Sequence, residues 1–282
     1  MSRLRDLAEA LKLEHTIFAL PFAYLGLWVA SKGSPTLHAI LWVTLAMVGA
    51  RTLGMAVNRL ADFSIDRLNP RTRNWPVPAG KVKRSVLGWL ACLAGGLFFF
   101  SAWQLNPLCL KWAPLAMALI ILYPYTKRFT WTCHFWLGAV LACAPAGGWL
   151  AASGVWANEI WPLALGVFFW VAGFDILYAL LDIDFDRAHN VYSIPQRFGI
   201  KPALAFSSLC HVLAIIGFGW FGGLVQAGPW FWIGWMGVAG MLGYEHWLVS
   251  PNRLDRIQQA FFTVNGWVSV GLFVFTILDL RV

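Results

Sequence analysis

Long apolar runs constrain this chain more than any other feature. They recur at residues 15–30, 37–58, 85–103, 108–123, 135–152, 160–181, 202–225, 229–249 and 258–280. Crossing a bilayer as a helix takes about 20 such residues. Backbone in hydrocarbon must satisfy its own hydrogen bonds, so runs of this kind fold as helices. Charged residues make up only 12% of the chain, where a soluble domain carries about 25%. The expected fold class is therefore an all-α membrane protein with about nine transmembrane helices. Without low-complexity stretches or a soluble appendage, residues 1–282 read as one domain.

Residues 1–13 read as a short amphipathic helix. Leu4, Leu7, Ala8 and Leu11 form a stripe against Arg3, Arg5, Asp6, Glu9 and Lys12, which suits a helix lying in the membrane interface. No cleavable signal is visible, so the first span is expected to direct insertion. Pro21 is expected to kink that span.

Placing the N-terminus inside gathers nearly all Lys and Arg on that side and leaves Lys32, Lys111 and Arg281 on the other. By the positive-inside rule this orients the chain in the cell inner (cytoplasmic) membrane with its N-terminus cytoplasmic. The net charge of +8 then belongs to topology, and nucleic acid is not expected as a partner. Cys92, Cys109, Cys133, Cys143 and Cys210 show no metal or disulfide spacing.

Acids are scarce, 13 in 282 residues, and six of them fall in two stretches at the ends of apolar runs. In the first, Asn58, Asp62 and Asp66 recur every four residues. In the second, Asp175, Tyr178, Asp182 and Asp186 follow at i, i+3, i+7 and i+11. On a helix each set shares one face. Carboxylates beside hydrocarbon are costly unless they serve a site or pair with cations. Both stretches fall on the side that collects the bases.

Two facing carboxylate groups suit Mg²⁺, which takes few protein ligands and keeps substrate phosphates and water. Asp62, Asp66, Asp182 and Asp186 are the candidate metal ligands. Lys127 and Arg128, at the end of the fourth run, add cations for a diphosphate. Lys127 is the favoured ligand and Arg128 the favoured topology determinant. Apolar walls beside such a site fit a long hydrocarbon tail, so polyprenyl diphosphate uses both features. An allylic carbocation left by diphosphate departure can be attacked by an electron-rich ring.

Other polar residues remain open between site and scaffold. Tyr178 is either a site residue or core with its hydroxyl satisfied. Asn58 can touch metal or diphosphate, or bridge helices. Asp175 lies deep enough to require a partner. Asp184 falls on the opposite face. Arg51 lies seven residues before Asn58; it pairs with Asp175 or neighbouring carbonyls, or its fork binds an acceptor carboxylate. His15 reads as interfacial, as do Glu159 and Glu245. His134, His189, His211 and His246 show no ligand spacing.

Over nearly its whole length the chain resembles the UbiA superfamily of intramembrane prenyltransferases. The resemblance rests on Asn58-x-x-x-Asp62-x-x-x-Asp66, on Asp175-x-x-Tyr178-x-x-x-Asp182-x-x-x-Asp186, and on Tyr123-Pro124-Tyr125-Thr126-Lys127-Arg128, which is similar to that family's YPxxKR loop. It implies nine helices around a central cavity and Mg²⁺-dependent transfer of a polyprenyl group to an aromatic acid in quinone biosynthesis. The implied site comprises Asn58, Asp62, Asp66, Asp175, Tyr178, Asp182 and Asp186, with Arg51, Lys127 and Arg128 as further substrate contacts. Phe18 to Ala23, Gly49-Ala50-Arg51, Gly173 to Leu180 and Tyr192 to Gly199 look like the 4-hydroxybenzoate polyprenyltransferase-like branch that includes the MqnP enzymes of menaquinone synthesis. That branch implies 1,4-dihydroxy-6-naphthoate as acceptor, against 4-hydroxybenzoate. Where the family usually reads Asn-Arg-Pro-Leu-Pro, this chain has Asn74-Trp75-Pro76-Val77-Pro78, and Arg71 or Arg73 is the candidate replacement for the missing cation.

The alternative from another class is a divalent-cation transporter or channel, since intramembrane carboxylates also line ion paths. Such a path needs polar residues at mid-depth and beyond, and here the acids gather at one end. A scaffold role would not need the full set of acids, and no obligatory protein partner is expected.

Overall fold

The computed structural model describes residues 2–11, 16–251, 253–254, 256–259 and 263–281. Lys12 and His15, expected at the mouth of the first span, lie outside them. In chain order the helices are α1 (Ser2–Leu11), α2 (Thr16–Ala30), α3 (Leu37–Ala61), α4 (Phe63–Leu68), α5 (Arg84–Leu105), α6 (Pro107–Thr126), α7 (Cys133–Ser153), α8 (Ile160–Ala179), α9 (Ile183–His189), α10 (Ile194–Phe198), α11 (Ile200–Leu224), α12 (Pro229–Leu248), α13 (Ile257–Gln259) and α14 (Asn265–Asp279). Among the described residues the only β feature is a bridge between Ser250 and Arg253.

Of the roughly nine spans expected, six helical segments among the described residues are long and apolar enough to cross a membrane: α3, α5, α6, α7, the continuous segment Ile160–His189 and α11. Shorter apolar helices at Phe18–Ala30 and Asn265–Asp279, together with α12, pack among them. Pro21 lies inside α2.

Helix starts and stops follow local chemistry. Thr36 caps α3, its hydroxyl accepting from the Ala39 amide at 3.1 Å. Asn106 caps α6 in the same way at Cys109, with Pro107 as the first helical residue. Helix α7 ends at Gly154 in the left-handed conformation, φ +66°. At the end of the bundle away from the acids, the Asp279 carboxylate accepts from the amides of Gly228, Trp230 and Phe231, fastening α14 to the start of α12.

The helices close into a ring. Helix α8 lies between α7 and α11, α2 packs on α7 and α14, and α12 joins α11 to α14; α3, α5 and α6 complete the circuit against α7 and α2. Helix α2 meets α7 backbone to backbone. A Cβ on Gly148 would overlap the Ala23 carbonyl, and one on Gly26 the Pro145 carbonyl. Small residues permit this approach in a membrane bundle. The core on one side of the ring is aromatic, with Phe22, Trp170, Phe218 and Phe231 fully buried.

Between α2, α3, α5, α6, α7 and α8 lies a partly open cavity of about 660 Å³. Arg51 and Tyr123 stand on its wall towards the acid end; Leu105, Trp112, Trp156 and Trp161 line it towards the other.

One sequence expectation is overturned outside the site. Glu245, expected at the interface, is fully buried. It accepts from the Asn265 amide at 2.8 Å, and Asn265 in turn accepts from the Trp170 indole at 2.7 Å. His211 and His246 share a hydrogen bond of 2.9 Å beside it. The run 229–249 gave no sign that this acid faces α14.

Candidate active site

Both acid stretches end apolar helices at the same end of the bundle. Helix α3 stops at Ala61, yet Asp62 and Asp66 keep helical bonds across the junction: Asp62 N–H to the Asn58 carbonyl and Asp66 N–H to that of Asp62, each 2.8 Å. The expected shared face therefore survives a change of helix. Likewise α8 tightens into a 3₁₀ turn over Leu180–Asp182 before α9 begins. Asp62, Asp66 and Asp186 are buried, while Asp184 is exposed, as its helix face requires.

The first pair surrounds a cation. Lys127 Nζ lies 2.6 Å from Asp62 Oδ2, and Arg128 approaches Asp62 Oδ1 at 3.7 Å while also donating to the carbonyls of Ala61 and Pro124. Lys127 also acts electrostatically on Asp66 and on Asp186, so it stands between the two stretches. Arg59, in the last turn of α3, lies 3.6 Å from Asp66 and donates to the Ala10 carbonyl, tying α1 to the site. Burial pushes the Asp66 carboxyl above its ordinary range and Asp62 adds to the rise, whereas Arg59 and Lys127 oppose it.

The second stretch is held by the polar segment that follows α4. Asn69 Nδ2 and Arg71 Nε both donate to Asp182 Oδ1 at 2.9 Å, a second guanidinium nitrogen of Arg71 bonds Asp182 Oδ2, and a third donates to the Tyr178 hydroxyl at 2.9 Å. The planar fork suits a carboxylate of this kind. Bonding to Asp182 raises the Arg71 pKa further against burial, which lowers it, so the guanidinium stays charged. Trp75, where the related pattern carries arginine, is flanked by two guanidinium groups: Arg59 at 4.3 Å from the ring centre and Arg71 at 5.4 Å. Of the two arginines expected to replace the missing cation, the structure brings Arg71 to the acids and leaves Arg73 exposed.

Asp175 does have the partner its depth demands, but that partner is His134: Nδ1 to Asp175 Oδ2 is 2.7 Å. His134, without metal-ligand spacing in the sequence, is thus tied to a motif acid. Arg51 lines the cavity, within electrostatic reach of Tyr123. Asn58 is half-buried one turn before Asp62. Asp186 accepts from the Ser193 hydroxyl at 3.3 Å.

Among the described residues no three His, Cys, Asp or Glu side chains converge as a metal cage. The acids come instead as two pairs threaded with cations, on helices that further along line an apolar cavity. Such a site can hold and neutralise a diphosphate whose tail lies below it.

Residues 19–267 match the UbiA prenyltransferase family. The chain belongs to that family. This UbiA-family protein is a transferase of prenyl groups. It is 32% identical over 266 residues to the 4-hydroxybenzoate octaprenyltransferase of Pseudomonas putida (strain GB-1), covering 89% of this chain and 84% of the relative. The apo structure of a UbiA homolog from Aeropyrum pernix K1 superposes with a TM-score of 0.87 at 35% identity, covering 95% of this chain and 98% of the other. A UbiA homolog from Archaeoglobus fulgidus, bound to GPP and Mg²⁺, shares the fold at a TM-score of 0.66 and 17% identity, covering 94% of this chain and 99% of the other.

Sequence reasoning missed Asn69, Arg59, Ser193 and His134. Asn69 and Ser193 lie in polar segments whose path was invisible. Arg59 lies inside the first motif, where the charge asymmetry of the loops alone accounts for it. For His134 the missing signal was tertiary, since its partner lies 41 residues away on α8.

Proposed function

We propose that this enzyme transfers a polyprenyl group from polyprenyl diphosphate to the ring of an aromatic acid, 4-hydroxybenzoate or 1,4-dihydroxy-6-naphthoate, in the Mg²⁺-dependent synthesis of a membrane quinone. One observation carries the reading: paired acids and cations follow, about one to two helical turns along α3 and α6, the residues Gly54 and Tyr123 that line a 660 Å³ cavity whose walls are almost wholly apolar. A conduction path for cations would need polar walls through that cavity, and there the polar side chains towards the acid end are Arg51 and Tyr123.

The acids fit a hard cation. Asp62 Oδ1 and Asp66 Oδ2 are buried and accept no hydrogen bond, facing only the guanidinium groups of Arg128 at 3.7 Å and Arg59 at 3.6 Å; they are oxygen donors of the kind Mg²⁺ prefers. Asp62, Asp66, Asp182 and Asp186 would hold it. When bound, the metal supplies neutralisation of the departing diphosphate. Asp182 already has both oxygens bonded by Asn69 and Arg71, so Arg71 competes with a cation for it.

The chain's own groups divide the remaining work. Lys127 and Arg128 neutralise diphosphate oxygens as they now neutralise Asp62. Asn58 and Tyr178 border that contact. The cavity takes the tail and keeps water from the allylic cation. Arg51, on the cavity wall, anchors the acceptor carboxylate with its fork. The site faces the cytoplasm, the side to which the Lys and Arg distribution assigns the N-terminus.

The test is purified protein with Mg²⁺, one farnesyl- or geranyl-type diphosphate, and 4-hydroxybenzoate or the dihydroxynaphthoates in parallel, with products read by mass spectrometry. A prenylated aromatic acid is expected. Donor left intact with every acceptor, alongside cation flux in liposomes, would overturn the reading.

A further inference from the structure

We infer that His134 is a positioning residue for prenyl transfer: it holds the Asp175 carboxylate in one orientation, and its own ring is fixed by the backbone amide of Ile194. The inference rests on the prenyl-transfer reading above.

His134 is the second residue of α7, and its side chain is 2% exposed. Two bonds hold the ring. Ile194 N–H donates to Nε2 at 3.2 Å, and Nδ1 lies 2.7 Å from Asp175 Oδ2. An amide N–H can only donate, so Nε2 must offer its lone pair. The ring proton therefore sits on Nδ1, aimed at Asp175. This is the arrangement by which an outer partner sets both the tautomer and the direction of an imidazole.

Asp175 stands where orientation matters. It follows Phe168, a cavity-lining residue, by two helical turns on the same face of α8, and its side chain is 27% exposed. Leu137, one turn after His134 on α7, lines the same cavity. Asp175 thus lies on α8 two turns beyond the cavity wall at Phe168 and two turns before Asp182, in the stretch an acceptor ring occupies if it is to meet the allylic carbon. A carboxylate with one oxygen bonded to His134 presents the other to the acceptor's hydroxyl.

The amide that fixes the histidine belongs to a segment tied to the rest of the site. Val191 N–H bonds the Asp186 carbonyl, Tyr192 N–H bonds the Lys127 carbonyl at 2.7 Å, and the Cys133 thiol donates to the Tyr192 carbonyl at 3.4 Å. Ser193 donates to Asp186 and caps α10 at Gln196. Four consecutive residues therefore reach Asp186, Lys127, Cys133 and His134. The orientation of Asp175 is set by the same strand of chain that braces the diphosphate end.

The test compares His134→Leu, which can make neither bond, with His134→Gln, whose amide can both donate and accept. His134→Leu should lower kcat/KM for the acceptor about 10²-fold, the scale of a misplaced reacting group, with donor KM unchanged. His134→Gln should stay within about tenfold of wild type. His134→Leu added to Asp175→Asn should cost nothing more, because the histidine acts through that carboxylate. A folded His134→Leu variant with near-wild-type acceptor kinetics, or a further loss on the Asp175→Asn background, overturns the inference. If His134→Leu does not fold, ¹⁵N NMR of the wild-type histidines decides. A neutral ring protonated at Nδ1 is required, and a proton on Nε2 at neutral pH refutes the inference. Wild-type protein that forms no prenylated product at all would instead refute the prenyl-transfer reading.

Discussion

Individual acids in this site are distinguished by what already touches them. Asp62 and Asp182 each carry a direct ion pair, from Lys127 and from Arg71, whereas Asp184 points into solvent on the far face of α9. Asp62→Ala and Asp182→Ala should each remove most prenyl transfer, on the order of 10²-fold or more, since each end supports charge on the same leaving group. Asp184→Asn should keep most activity while Asp186→Asn does not; steady-state rates of the two variants side by side check this. Equal losses would mean that the faces of α9 do not sort the acids. Arg51→Leu should raise KM strongly for a carboxylated acceptor and little for its decarboxylated analogue, with donor KM nearly constant. An equal effect on both acceptors would remove the carboxylate anchor. Spacing alone identified the motif acids, because i, i+4 and i, i+7 relations are local. It could not identify Asn69, Arg71 or His134 as their partners, because those bonds join residues between 41 and 113 positions apart.

At the level of helices, the apolar periods marked most of the elements, and their ends fell close to the observed caps. What they did not show is how the polar segments fold. The polar segments 62–83 and 182–200, outside the apolar runs, contain short helices, α4 in the first and α9 and α10 in the second. Their order comes from bonds to other elements: Asn69 and Arg71 to Asp182, Ser193 to Asp186, and Ile194 to His134. A helix of five to seven residues leaves no apolar period to read. The buried Glu245 was misplaced for a related reason, since a glutamate near a helix end looks interfacial until its partner on α14 is known. Packing at this scale offers a sharp test at the crossing of α2 and α7. Gly148→Val should destabilise the protein by several kcal/mol, because backbone cannot yield as a flexible side chain does. A melting temperature in detergent within a few degrees of wild type would contradict the backbone contact.

For the molecule as a whole, the ring of helices brings two features together that neither half holds alone. One is a charged end built from the ends of α3, α6 and α8; the other is an apolar chamber between α2, α3, α5, α6, α7 and α8. The central claim is that the two acid stretches grip one diphosphate through Mg²⁺ while the chamber holds its tail. It is tested most directly by equilibrium binding of a non-hydrolysable polyprenyl diphosphate analogue to wild type, Asp62→Ala and Asp182→Ala, each with Mg²⁺ and with chelator. Tight binding is predicted only for wild type with Mg²⁺, with at least about tenfold weakening in either variant, equivalent to about 1.4 kcal/mol. Binding by wild type that ignores chelator, or by either folded variant at wild-type strength, would contradict the claim that both stretches act on the same diphosphate.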